Sequence, residues 1–191
     1  MGGRPRGETV DLPTPDEGYE SPRELLGRLE AHVGTSRAAL LCAEVLAADD
    51  PTEHPETVLF LGGPAGRAIL QGETSWRPYW ARVWGARGLL YVWDDGAADA
   101  VLDGLRAEAW RVAEMCLKVS ALRGLPAGDE AARLSSHELP RVRAAAARTL
   151  GASGDVEHVG AVEDLLDDGS EEVRRAAHRA LERMRTRLDL A

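Results

Sequence analysis

The sequence predicts an all-α fold, specifically a solenoid of stacked helical hairpins. Its composition favours helices, because Ala and Arg are abundant while β-branched residues other than Val are scarce. Helix-like segments with apolar residues on one side recur along the chain at a spacing of about 31 residues. A fixed period in this range is typical of stacked helical hairpins, in which each pair buries its apolar face against its neighbours.

Length, charge and cysteine content exclude several classes of protein. The 191 residues suit one domain, which can bury a core without a metal or a disulfide. Cys42 and Cys116 are far apart, which excludes a zinc ribbon and is typical of a reducing cytoplasm. No apolar run approaches the roughly 18 residues of a membrane span. The net charge of −9 disfavours a nucleic-acid partner bound through its phosphates. We therefore expect a cytoplasmic protein.

The chain divides into a tail and one helical domain. Residues 1–20 contain Pro, Gly, Asp and Glu with almost nothing apolar, so we expect a disordered N-terminal tail. Residues 21–191 are expected to form a single helical-repeat domain. Within it, residues 21–75 form N-terminal helices and residues 76–191 form the repeats.

The N-terminal helices are predicted from capping and breaking residues. The sequence SPRE at residues 21–24 is a capping box with proline at the first helical position, and Gly34 ends this helix. A second helix spans residues 36–48. The sequence GGP at residues 62–64 breaks the next apolar segment, and residues 65–70 form one more short helix.

The repeat is clearest in the C-terminal third of the chain. The stretch PRVRAAAARTLG at residues 140–151 aligns with residues 171–181 at a shift of 31 residues. A looser alignment, at a shift of 32 residues, places Arg111 on Arg143. A shorter helix is predicted before each of the three aligned helices, in residues 97–105, 129–134 and 159–166. The matched pairs of the closer alignment are Val142 with Val173, Arg143 with Arg174, Arg148 with Arg179, and Leu150 with Leu181.

The last repeat reads LLDDGSEEVRRAAHRAL at residues 165–181. This sequence resembles the HEAT-repeat family, in particular short bacterial HEAT repeats of the phycobilisome-lyase type, whose core pattern is LL-D-D-x-x-x-x-VR-x-AA-x-x-AL. The resemblance covers roughly residues 76–187 and is loosest in the first repeats. It implies an α-solenoid and no particular activity.

Two sets of arginines recur at equivalent positions. The first set comprises Arg111, Arg143 and Arg174. The resemblance implies that this arginine ties adjacent repeats together by binding an aspartate between the helices, with Asp167 or Asp168 as the acid. The alternative is a row of arginines that binds an acidic partner. The second set comprises Arg148 and Arg179, which have no such structural role in the family and are expected to form an exposed basic strip.

All five tryptophans lie within 35 residues of one another. Their helical spacing favours a bulky core over an aromatic recognition surface. Trp76 is the exception, because it precedes Pro78 in a loop and is expected to be exposed.

The sequence contains no recognisable catalytic or metal-binding pattern. The histidines lack the spacing of metal ligands, and the single pair His137-Glu138 does not make a metal centre. The glycine-rich GGPAGR at residues 62–67 lacks the lysine and hydroxyl residue of a phosphate loop. We therefore expect no enzyme, no cofactor and no metal.

The resulting expectation is a non-enzymatic scaffold or adaptor that binds another protein through its concave inner-helix surface, as a monomer or weak homodimer. The apolar residues of the inner helices are needed for packing against neighbouring repeats. Their polar residues and the exposed Trp76 are therefore the candidates for contact with a partner protein. These candidates are Arg111, Glu114, Lys118, Arg148, Arg179 and Trp76.

Two alternatives remain open. One is a HEAT-like DNA-repair glycosylase, or another nucleic-acid-binding repeat protein, with Asp94 and Asp95 beside the Trp-rich helices. Such a protein needs a basic channel. Residues 129–191 carry ten arginines against 13 acidic residues, which disfavours one. The other alternative is a bilin-lyase-like chaperone, suggested by the repeat subtype alone.

Overall fold

The computed structural model describes Leu12, Pro13 and residues 20–73 and 75–190. These residues form α-helices joined by turns and short 3-10 segments, with no β-strand among them. The fold is therefore the expected all-α, HEAT-like α-solenoid. The expected disordered tail lies almost entirely outside the described residues. The helices are α1 (Pro22–Val33), α2 (Thr35–Ala47), α3 (Pro55–Leu70), α4 (Tyr79–Gly88), α5 (Ala98–Gly104), α6 (Trp110–Arg123), α7 (Gly128–Leu134), α8 (Pro140–Ser153), α9 (Val159–Glu163) and α10 (Glu171–Leu188).

Helices α1 and α2 begin and end within one residue of the predicted positions. The Ser21 hydroxyl accepts a hydrogen bond from the Glu24 amide, and the Glu24 carboxylate accepts one from the Ser21 amide, which completes the capping box. Gly34, at φ 82°, separates α1 from α2. The predicted break at residues 62–64 is a kink at Gly63, where φ is 51°, so the expected short helix of residues 65–70 and the apolar segment before it form one kinked helix, α3.

The helices α2, α4, α6, α8 and α10 form one layer, in which they pack side by side in that order. The shorter helices α5, α7 and α9 pack against α6, α8 and α10 respectively. A continuous apolar core runs through this arrangement. Each repeat therefore buries its apolar residues by stacking on the next, as in other helical-repeat proteins.

Three valines fix the register of the repeats. Val112, Val142 and Val173 are each the third residue of their helix, and each is 0% exposed. The structural step is therefore 30 residues from α6 to α8 and 31 residues from α8 to α10. Because equivalent core positions must point the same way, this register also decides which polar side chains align on the opposite side of the layer.

The expected alignment of Arg111 with Arg143 is therefore wrong. Ala113, not Arg111, occupies the position of Arg143, and Arg111 aligns with Arg141. A shift of 32 residues would have placed the large Trp110 at the fully buried position of Val142, whereas Trp110 is only half-buried. Along the side of the layer opposite the valines, the equivalent sets, in which Glu114 and Ala144 are buried, are Arg111, Arg141 and Glu172; Glu114, Ala144 and Arg175; Lys118, Arg148 and Arg179; Leu122, Ala152 and Arg183.

Arg143 has the structural role that the family resemblance implied. Its guanidinium binds the Asp168 carboxylate through two hydrogen bonds of 2.6 and 2.9 Å. It also donates to the carbonyl oxygens of His137 and Glu138. The hydrogen bonds from Arg143 to the carboxylate hold the pKa of Asp168 below its usual value. Arg174 donates to the backbone carbonyl of Asp168, so both arginines bind the link before α10.

Candidate functional site

An aromatic cluster lies where α4 and α6 begin. Trp76 is exposed, as expected, with 38% of its surface accessible, and its ring meets that of Trp80 edge-on at 5.6 Å. Tyr79 stacks on Trp80 at 5.9 Å. Trp84 is the buried tryptophan, at 6% exposure, and the other three are half-buried. The expectation of a bulky core therefore holds fully only for Trp84.

Two arginines extend this cluster across the helix layer. The Arg111 guanidinium lies 5.3 Å from the ring centre of Trp80 and 4.1 Å from that of Trp110. Arg141 lies 5.0 Å from the same Trp110 ring. Cation–π contacts of this kind favour a fixed arginine position. Arg111 is consequently held by the protein rather than free to meet a partner.

Glu114 is buried, contrary to the expectation that its carboxylate is available for binding. The residue is only 4% exposed. Its Oε1 lies 2.8 Å from the Lys118 Nζ and 3.1 Å from the Arg141 Nη2. The reason is again the register, because Arg141 of α8 reaches across to α6 and covers this carboxylate. Glu114 therefore holds the side chains of Lys118 and Arg141 in place.

Lys118, Arg148 and Arg179 occupy the same position in three successive helices, and we call this row the basic ladder. Arg148 pairs with Glu172 at 3.0 Å, with both side chains about half exposed. Lys118 pairs with Glu114. Arg179 is exposed and makes no ion pair within the described part of the chain. The positive charge of the basic ladder is therefore least compensated at its C-terminal end.

A groove of about 280 Å³ opens between α6, α8 and α10 beside the ladder. Its floor is formed by small residues because α8 and α10 pack closely: a Cβ at Gly151 would lie 2.8 Å from the Ala180 Cα. Leu122 stands at its edge with 57% of its surface exposed. Arg183 makes no ion pair among the described residues. The groove is lined by Ala121, Leu122, Arg148, Gly151, Ala176, Arg179, Ala180 and Arg183.

The structure thus divides the candidate residues into two neighbouring groups. Trp76, Arg111, Glu114 and Lys118 belong to one contact network, whereas Arg148 and Arg179 line the groove. Sequence reasoning missed three residues of this face, Arg141, Arg183 and Leu122. Alignment of the three buried valines would have placed all three on one side of the layer.

Side chains that could suggest chemistry have local structural roles. Asp94 accepts a hydrogen bond from the Gly96 amide, and Asp95 accepts one from the Trp93 indole, each at 2.9 Å. The described residues contain no group of three or more His, Cys, Asp or Glu placed to hold a metal ion. In the same part of the chain, no helix has the length and apolar character needed to span a membrane.

Both thiols are predicted to resist alkylation in the folded protein. Cys42 and Cys116 are fully buried, and burial raises the pKa of each thiol to about 12. Since the thiolate is the reactive form, iodoacetamide at mildly alkaline pH should leave both residues unmodified until the protein is unfolded in denaturant. Mass spectrometry counts the adducts, and rapid labelling of the native protein would contradict the buried placement.

Comparison with known proteins supports the repeat assignment. Residues 130–191 match the family model described as HEAT repeats. Two crystal structures of engineered proteins have a similar fold. One is 16% identical, with a TM-score of 0.51 over 86% of this chain and 90% of its own. The other is 17% identical, with a TM-score of 0.50 over 86% and 89% respectively. No curated protein matches this sequence.

Residues 130–191 therefore carry HEAT repeats, and the described helices form a HEAT-like α-solenoid. At such low identity the engineered proteins show the fold alone. The finer assignment to repeats of the phycobilisome-lyase type stays a prediction.

Proposed function

We propose that this protein is a non-enzymatic adaptor that binds another protein through the exposed face of α6, α8 and α10. The observation that carries the proposal is the groove, where the exposed Leu122 lies beside Arg179 and Arg183, neither of which makes an ion pair within the described residues. Arginine is one of the residue types enriched among those that contribute most of the binding energy at protein interfaces. A binding partner would cover Leu122 and pair with Arg179 and Arg183.

The rest of the face supports the same proposal. Arg111, Glu114 and Arg141 are held by contacts within the protein, which leaves a rigid and positively charged edge next to the groove. A fixed edge loses little conformational entropy when a partner binds. Trp76 extends the face at its other end, where its exposed ring offers a second contact area.

Reversal of two ladder charges should abolish partner binding without unfolding the protein. We expect the double variant Arg148→Glu and Arg179→Glu to lose capture of the protein that co-purifies with the native chain. Its thermal midpoint should change little, because Arg148 forms only an exposed ion pair, which contributes at most about 1 kcal/mol. Affinity capture from the source organism and thermal unfolding measure the two effects.

The matched control is Arg23→Glu with Arg185→Glu. This double variant makes the same change in net charge at two exposed positions outside the proposed face. It should retain the partner. Equal loss of the partner in both double variants would point to net charge alone, and retention in both would place the interface elsewhere.

Binding to nucleic acid is the second candidate function. The face carries seven basic side chains and two acidic ones, so positive charge is concentrated there on a chain whose net charge is −9. Both acids, Glu114 and Glu172, lie within the basic region and would repel phosphates. The basic residues are Arg111, Lys118, Arg141, Arg148, Arg175, Arg179 and Arg183.

We therefore expect no tight binding to duplex DNA at physiological salt. Phosphate contacts release counterions, so any affinity based on them falls steeply as salt rises. Fluorescence anisotropy with a labelled duplex should show no saturation at micromolar protein. Submicromolar binding with a steep salt dependence would favour the nucleic-acid function over the adaptor function.

A further inference from the structure

We infer that the groove and the basic ladder bind an extended acidic segment of the partner, with carboxylates at about every third residue and one apolar side chain placed beside Leu122. This inference rests on the proposed adaptor function and names the chemistry of the segment. It follows from the charge of the face, from the spacing of the ladder and from the shape of the groove.

Charge complementarity selects an acidic segment. Arg179 and Arg183 are exposed and make no ion pair in the described residues, so their charges are available. Arg148 is paired with Glu172. Because both side chains are exposed to solvent, a carboxylate of the bound segment can take the place of Glu172. Arginine binds carboxylates through two parallel hydrogen bonds, which gives geometric selectivity as well as attraction. An acidic peptide would therefore gain three such pairs within one groove.

The spacing of the ladder selects an extended conformation. Neighbouring packed helices lie roughly 8–10 Å apart, so successive ladder residues present positive charges at about that interval. A polyproline II segment is extended, rises roughly 3.1 Å per residue and completes a turn every three residues, so side chains three residues apart lie on the same side at about 9 Å from each other. A segment that crosses α6, α8 and α10 with a carboxylate at every third residue would pair with Lys118, Arg148 and Arg179 in turn.

The groove selects an apolar anchor between these charges. Its volume of about 280 Å³ exceeds the roughly 150 Å³ that accommodates benzene in an engineered protein cavity, so one leucine-sized side chain can enter it. Leu122 and the small floor residues Ala121 and Ala180 offer apolar contacts. None of the residues that line the groove is aromatic. A nucleic-acid base would therefore find no ring on which to stack there, which disfavours single-stranded nucleic acid as the occupant.

The test uses three labelled probes and the full chain. The first is a short peptide with Glu at every third position, one central Leu and Ser spacers. The second has the same composition with its glutamates contiguous, and the third is oligothymidylate. Fluorescence anisotropy should show the spaced peptide binding about fivefold more tightly than the contiguous one, because the contiguous carboxylates reach fewer helices. A rise in salt from about 50 to about 500 mM should weaken this binding.

Two variants locate the binding of the spaced peptide. Arg148→Glu with Arg179→Glu should weaken it about tenfold, and Leu122→Ser should weaken it severalfold. The Arg23→Glu and Arg185→Glu control should bind it as the native protein does. Equal affinity for both peptides, absence of binding to either, or tighter binding of oligothymidylate would overturn the inference. The proposed adaptor function is tested separately, by capture of the co-purifying protein. If Arg148→Glu with Arg179→Glu loses that protein and the control retains it, the adaptor function stands even when the peptide results overturn this inference.

Discussion

Replacement of Arg143 by Ala should destabilise the protein by about 3 kcal/mol, which corresponds to a fall of roughly 6–12 °C in the thermal midpoint for a chain of this length. The side chains of Arg143 and Asp168 are only 18% and 9% exposed. The substitution leaves the Asp168 carboxylate without its bidentate partner and leaves two backbone carbonyls without their donor. Chemical denaturation of both proteins measures the difference.

Arg148→Ala is the matched control, because Arg148 lies in the same helix but forms an exposed ion pair. It should cost less than about 1 kcal/mol. Equal losses in the two variants would contradict a structural role for the Arg143–Asp168 pair.

The same pair makes stability depend on pH in a defined direction. Hydrogen bonds from Arg143 hold the Asp168 pKa below its unfolded value, so the stabilisation is complete above that unfolded value and is lost as the pH falls through the folded pKa. The difference in unfolding free energy between the native protein and Asp168→Asn should therefore narrow as the pH is lowered from about 5 to about 3.

Replacement of Gly85 by Ala should destabilise the protein by roughly 1–3 kcal/mol, although alanine is the better helix former. A Cβ at Gly85 would lie 2.5 Å from the Cys42 carbonyl oxygen and 2.9 Å from the Leu46 amide nitrogen. Both atoms belong to the backbone of α2, so the methyl group would force α2 and α4 apart. Thermal or denaturant-induced unfolding reports the loss.

Gly27→Ala provides a control with the opposite sign. Gly27 lies exposed within α1, and a Cβ there would meet nothing within 4 Å. The substitution should stabilise the protein by up to about 1 kcal/mol. If Gly85→Ala were equally stabilising, the close packing of α2 against α4 would be contradicted.

Much of the fold follows from local sequence signals. The capping box at Ser21 and Glu24, the break at Gly34 and the recurring apolar positions act within one or two helical turns, and all three appear in the structure. The kink at Gly63 was less accessible to prediction. Gly and Pro indicate that a helix is interrupted, but whether the second segment continues the first is decided by packing against α4.

The candidate site was predicted less completely, for an identifiable physical reason. Alignment of arginines suggested one register, whereas burial of Val112, Val142 and Val173 imposes another. The side chain of an arginine can adjust its position over several ångströms, while a fully buried valine cannot. Alignment of the arginines therefore does not place Arg141 on the candidate surface. It also leaves Glu114 among the accessible polar residues, although Arg141 covers it in the structure.

The groove itself could not be predicted from one helix at a time. It exists because Gly151 and Ala180 allow α8 and α10 to approach closely, which leaves Leu122 of α6 standing at the edge. Each of these residues is unremarkable in its own helix. Their combination is a property of three stacked repeats.

Site-specific photo-crosslinking tests the central claim, that the face of α6, α8 and α10 binds a protein, most directly. A benzophenone amino acid placed at Leu122 should give one discrete protein adduct in cells of the source organism. The adduct should disappear when Arg148→Glu and Arg179→Glu are introduced. The same amino acid at Asp103, a residue of α5 whose side chain is 81% exposed, should give none. An adduct from Asp103 alone, or one from Leu122 that survives the charge reversal, would contradict the account.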